Sequence, residues 1–145
     1  MRYKTLVEII SSLFILLFVY TAVNKWLDHH SFQKTIAQSP LIGSFAAVVA
    51  WLLPILELGI AGLLFFEPTR KAGFYAAGSL MFLFTGYIGY MLLSSPHLPC
   101  SCGGVLKYLS WRSHLFFNLG WILLAALGLR LIRGNKIKFE QKGVS

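Results

Sequence analysis

The two cysteines of this 145-residue chain stand one residue apart, in Ser94-Ser95-Pro96-His97-Leu98-Pro99-Cys100-Ser101-Cys102-Gly103-Gly104. A pair at i, i+2 closes a disulfide only in a small, constrained ring. Departures from relaxed disulfide geometry make the bond easier to reduce, and strained, exposed bonds are the labile or catalytic ones. Cys100 and Cys102 are therefore a poor staple and a candidate redox couple. Their chemistry would be thiolate attack through a mixed disulfide, with Lys107, Arg112 or a nearby histidine favouring the thiolate by charge. A second reading joins the same thiols to His97 and His114 as a soft ligand set, but the spacing is that of no known zinc motif and no metal is assigned. A third leaves the cysteines shaping a loop.

Glu57 is the other group that draws notice. It follows Pro54 by three residues inside an apolar run, where proline opens the helix hydrogen-bond ladder. An ionisable residue at such depth faces the interior of a bundle or a cavity. It can relay protons or contact a quinone; equally, it can be a carboxyl that hydrogen-bonds between helices. It lies fourteen residues after Gly43, roughly 20 Å along a straight helix, and so not obviously beside the cysteines. Asn24 and Lys25 close the first apolar run, and Asn118 sits one turn into the last. They line an outer vestibule on one reading. On the other they anchor helix ends and link helices through hydrogen bonds worth roughly 0.6 to 2 kcal/mol each. His29 and His30 read as a solvated pair. Tyr87, Tyr90, Trp111 and Trp121 read as interface belt or packing, and Gly59, Gly62, Gly86 and Gly89 as places of close helix approach.

The elements that carry these groups follow from composition. Charged residues make up 12% of the chain and hydrophobic ones 57%; a soluble domain carries about 25% charged residues. Four apolar runs, about 5–23, 43–66, 72–94 and 115–132, are each long enough to cross a hydrocarbon core of roughly 30 Å. Helices are the open-chain solution in lipid, because backbone groups there must bond within their own segment. The fold class expected is all-α, an antiparallel four-helix transmembrane bundle, in one domain spanning 1–145 with a basic tail at 133–145. Met1-Arg2-Tyr3-Lys4 before the first run resembles a signal-peptide start. That run is long for a signal core and no small-x-small site precedes Asn24-Lys25-Trp26, so a retained helix is expected. The net charge of +8 does not point to nucleic acid, since the basic residues cluster at helix ends.

Those basic residues set the orientation. Arg2, Lys4, Arg70, Lys71, Arg130, Arg133, Lys136, Lys138 and Lys142 fall on one side, and Lys25, Lys34, Lys107 and Arg112 on the other. The positive-inside rule puts the larger set in the cytoplasm, with both termini inside (N-in, C-in). The connections 24–42 and 95–114 then face outward, each about 20 residues long, and loops of that length without structure are uncommon unless functional. The inner connection, Glu67 to Lys71, is a short hinge. The expected location is the cytoplasmic (inner) membrane, with the C-x-C loop on the outer, periplasmic face of a bacterial cell.

The order of Asn24-Lys25 after the first helix, Pro54 with Glu57-Leu58-Gly59 in the second, and Pro99-Cys100-Ser101-Cys102-Gly103-Gly104 before the fourth resembles the MauE branch of the DoxX-like membrane proteins. The resemblance covers about residues 5 to 133. It implies a four-helix membrane protein linked to methylamine utilisation, in a family thought to help the small subunit of a periplasmic dehydrogenase acquire its disulfides. DoxX relatives include a subunit that passes electrons to quinone. By resemblance Cys100 and Cys102 carry over as the redox pair and Glu57 as the membrane acidic position. The family often has an aromatic where this chain has Gly103. Nothing in the residues themselves speaks for methylamine as a substrate.

The function expected is that of a membrane thiol-disulfide redox protein. Its outer-face pair would exchange electrons with a thioredoxin-like or disulfide-containing client, with a quinone in the bundle as electron partner. Glu57, Asn24, Lys25 and Asn118 would be the residues around that cofactor. The alternatives are an assembly factor or scaffold subunit for a periplasmic partner, without enzymatic activity, and a metal-binding membrane protein. Known membrane oxidases of the first kind relay through two cysteine pairs, and this chain has one.

Overall fold

The computed structural model describes residues 2–94 and 111–142, with side chains for 3–94 and 112–134. Cys100 and Cys102, together with His97 and Lys107, lie outside the described residues. The described chain is helical throughout, joined by short turns: α1 (Arg2–Leu27), α2 (His29–Ala37), a 3-10 turn (Gly43–Phe45), α3 (Ala46–Phe65), α4 (Arg70–Ser94) and α5 (Trp111–Lys142). The windows Tyr3–Leu27, Gly43–Phe65, Arg70–Ser94 and Arg112–Gly134 are each long and apolar enough to cross a membrane. The protein is a multi-pass membrane protein.

These helices are apolar all round, so polarity does not choose the inward face as it would in water. Bulk and shape do. Phe14, Phe18 and Phe74 are fully buried, while Leu16, Phe82, Leu93 and Phe116 point outward to lipid. Phe14 is the hub, with Phe74 edge-on at 6.0 Å, Trp121 at 4.7 Å and Phe18 stacked at 5.9 Å. α1 packs mainly on α3, and α4 mainly on α5, with α3 against α4 joining the two pairs. The buried hydroxyls of α1 bond along their own helix: Ser11 donates to the Val7 carbonyl at 2.8 Å and Thr21 to that of Phe18 at 3.2 Å.

Close helix approach falls on different glycines from those expected. A Cβ at Gly59, Gly62, Gly86 or Gly89 would meet nothing within 4 Å among the described residues. The tight places are Gly73, where a Cβ would lie 2.9 Å from the Leu64 backbone nitrogen and side chain, and Gly128, where it would lie 2.7 Å from the Phe74 ring. The reason is register. Gly73 sits at the start of α4, directly after the turn that folds it back on α3, and Gly128 is the small residue over which the buried Phe74 ring lies.

The turn between α3 and α4 is closed by capping. The last carbonyls of a helix lack intrahelical partners; Thr69 Oγ1 donates to the Leu63 carbonyl at 2.8 Å and Arg70 Nε to that of Leu64 at 3.2 Å. At the far end the helix continues through the stretch read as a tail, reaching Lys142.

The connection between α1 and α3 is not an unstructured loop. The chain bends at Asp28 (φ −115°, ψ 42°), yet the helical ladder nearly carries through, with Asp28 N–H donating to Asn24 at 3.1 Å and Phe32 N–H to Asp28 at 3.0 Å. α2 then leans Phe32 and Ile36 on Ala46 and Ala50 of α3, forming a second buried cluster apart from the main core. Its return is tight: a Cβ at Gly43 would sit 2.6 Å from the Ala37 carbonyl oxygen. Pro54 lies inside α3 and is fully buried. It has no N–H to give the Ala50 carbonyl, so the ladder is interrupted between the part of α3 that meets α2 and the part that meets the main core.

Candidate functional site

Below that interruption, Glu57 meets Lys25. The Lys25 ammonium donates to Glu57 Oε1 at 2.6 Å, and the two side chains are 11% and 2% exposed. The lysine is in the last turn of α1, whereas Glu57 is eleven residues into α3, about 16 Å from its start. They meet because α3 stands beyond the end of α1 by the height that α2 fills. The ammonium also lies 5.7 Å from the centre of the Phe32 ring, so α2 closes over the pair with an aromatic face that favours a cation.

The ion pair lies on the wall of a cavity of about 320 Å³ to which every helix contributes. Thr21 and Lys25 come from α1, Phe32 from α2, Glu57 from α3, Tyr87 from α4 and Asn118 from α5. Apart from Thr35 and His114, the rest of the lining is aliphatic, aromatic or methionine. Two polar atoms on this apolar wall are buried without a hydrogen-bond partner among the described residues: Glu57 Oε2 and Asn118 Nδ2. Their residues are 1% and 3% exposed. Buried polar groups are paired in the great majority of cases, so a carboxylate acceptor and an amide donor left open on one cavity are what a bound molecule would complete.

The candidate residues separate. Lys25, Glu57 and Asn118 line the cavity together, and His114, one turn before Asn118, joins them. Asn24 does not: its side-chain amide donates to the Tyr20 carbonyl at 2.8 Å, a bond within its own helix. Tyr87, read as belt or packing, is on the cavity wall, while Trp121 packs on Phe14 and Phe117. His29 is not simply solvated, since its ring lies 4.6 Å from that of Trp51. Thr21, Phe32 and Phe117 line the cavity and were not singled out from sequence. For Phe32 the signal was present, in its i, i+4 spacing with Ile36 between Asp28 and Pro40. Among the described residues there is no cluster of three or more histidine, cysteine or acidic side chains that would hold a metal. The other ligands considered with His114 lie outside them.

Connectivity links the cavity to the cysteines. Met91 near the end of α4 and His114 near the start of α5 both line it. Ser94 and Trp111, between which Cys100 and Cys102 fall in the sequence, each stand three residues along their helix from one of these lining residues.

A family profile described as "Methylamine utilisation protein MauE" matches residues 3–131. The match spans most of the sequence, with three crossings, most of the fourth and the Cys-x-Cys segment included, and the chain belongs to the MauE family. No curated protein and no solved structure matches this chain.

Proposed function

We propose that this member of the MauE family is a membrane thiol-disulfide redox protein, exchanging electrons between Cys100 and Cys102 on the outer face and a thioredoxin-like or disulfide-containing client, with a quinone in the bundle as electron partner. The observation that carries the reading is the junction of two features at one end of the bundle. The segment bearing the two cysteines of the sequence joins α4 to α5, and the adjoining turns of those helices, at Met91 and His114, line a cavity whose wall holds a buried ion pair and two polar atoms unpartnered among the described residues. In the exchange, a thiolate of the reduced partner attacks one sulfur of the oxidised partner's disulfide. An intermolecular S–S bond forms as the intramolecular one breaks. The second thiolate of the attacking pair then displaces the mixed disulfide. Two electrons and two protons pass from dithiol to disulfide. The family description names methylamine utilisation; in this reading the client would be a periplasmic protein that needs its disulfides made. The inner membrane, with this end outward, follows from the basic residues at the opposite end.

Single serine variants test it. Cys100→Ser and Cys102→Ser should each insert normally and each abolish function in vivo. One of them should accumulate a mixed disulfide with its client, which vanishes on reduction and identifies the client by mass spectrometry. If the double variant Cys100→Ser/Cys102→Ser complements a deletion as well as the natural chain, the redox reading falls and a scaffold role replaces it.

A further inference from the structure

The cavity has a chemistry of its own. It lies within the membrane-spanning bundle and is apolar over most of its wall, so its occupant partitions into lipid. Phe32, Phe84, Tyr87 and Phe117 set aromatic rings around it, a lining suited to a flat ring. The polar requirement is narrower. Glu57 is the acidic partner of Lys25 at 2.6 Å, and in that ion pair its open Oε2 is left to accept a hydrogen bond. Asn118 Nδ2 can only donate. The occupant that completes both must carry a donor and an acceptor on an otherwise apolar body.

We propose that this cavity is a quinol site, in which Glu57 Oε2 accepts a hydrogen bond from a quinol hydroxyl and Asn118 Nδ2 donates to a quinol oxygen. A quinone offers carbonyl acceptors alone and leaves Glu57 Oε2 open; a quinol offers both. Leaving a buried polar group unpaired is penalised far more than a hydrogen bond made is rewarded, so the site discriminates between redox states of one ring and holds the reduced form more tightly. Thr21, whose hydroxyl donates to the Phe18 carbonyl at 3.2 Å, stands beside the Glu57 carboxyl and is a second polar group at that end of the site. The inference rests on the redox reading only in choosing a redox-active diol among hydroxylated lipids, and it requires no contact with the cysteines.

The test is calorimetric titration of the full-length protein in lipid nanodiscs, without oxygen, using decylubiquinol and then decylubiquinone. The quinol should bind at least tenfold more tightly. Asn118→Leu should weaken quinol binding at least tenfold. Glu57→Gln, whose amide places a donor beside the acceptor, should bring the two ligands to near parity. Leu53→Trp fills the cavity without replacing a polar group and should abolish binding of both, which keeps the test sound should Asn118→Leu fail to fold. Equal affinities for quinol and quinone in the natural chain overturn the proposal. So does a co-purifying phospholipid that decylubiquinol fails to displace. The double variant Cys100→Ser/Cys102→Ser separates the two readings. If it binds quinol normally yet complements a deletion, the thiol reading fails and the quinol site stands. If the natural chain traps a client but binds no quinol, this proposal alone fails.

Discussion

At the level of single residues, the buried Lys25–Glu57 pair is a costly arrangement. Two charges removed from water repay their desolvation only with good geometry, which here is one short contact with half of the carboxylate. Removing one partner leaves the other buried and uncompensated. Lys25→Met alone and Glu57→Leu alone should each destabilise the folded protein by about 3–5 kcal/mol, whereas the double variant Lys25→Met/Glu57→Leu should be close to neutral or more stable. Thermal melting in detergent measures all three. Additive losses in the double variant would mean that the two residues do not act as a pair. The retention of so expensive a pair, when an apolar substitute would fold as well, is the expected mark of a group kept for what it does. In the sequence the depth of Glu57 was legible from its apolar run and Pro54. Its partner was not, because Lys25 stood at the end of one segment and Glu57 in the middle of another, and their levels depend on an offset that neither segment records.

That offset is made at the level of elements, by α2. Its nine residues were hidden because a single anchored turn, with Phe32 and Ile36 inward, is a weak periodic signal between two strong apolar runs. The glycines of the helices show the same limit. Spacing alone cannot tell a glycine that faces lipid from one beneath a neighbour, which is why Gly59, Gly62, Gly86 and Gly89 looked like contact points and Gly73 and Gly128 did not. A comparison within α4 settles the difference. Replacing glycine by alanine in a helix interior gains about 1 kcal/mol of propensity, so Gly86→Ala, which meets open space, should be neutral or stabilising. Gly73→Ala drives a methyl against Leu64 backbone and should lose about 1–3 kcal/mol through overpacking. Equal melting temperatures for the two would contradict the packing of α4 on α3. Gly43→Ala, at 2.6 Å from the Ala37 carbonyl oxygen, should displace α2 and weaken quinol binding along with stability.

At the scale of the whole molecule, the architecture was the most legible part. Four stretches too apolar for water have one way to satisfy their backbones in lipid, and four such helices form. The cavity was not legible, since it is a space left between five elements and belongs to none of them. Orientation rests on the division of basic residues between the two ends and has a direct readout. A membrane-impermeant thiol reagent should label reduced Cys100 or Cys102 in spheroplasts with the inner membrane closed. Labelling only after that membrane is opened would put the Cys-x-Cys segment in the cytoplasm, where a disulfide rarely persists, and the redox reading would fall with the orientation.

The separation of the two buried clusters has a consequence for how the protein comes apart. One gathers α1, α4, α5 and the second half of α3; the other holds only α2 and the first half of α3, and Pro54 marks the break in the ladder between them. Small cooperative units open at lower free energy than the whole. Amide hydrogens of residues 29–53 should therefore exchange with solvent deuterium as one group, earlier than those of 58–65 on the same helix, and an occupant spanning the gap should slow the first group toward the second. A single shared exchange rate along α3 would mean that the bundle opens as one piece.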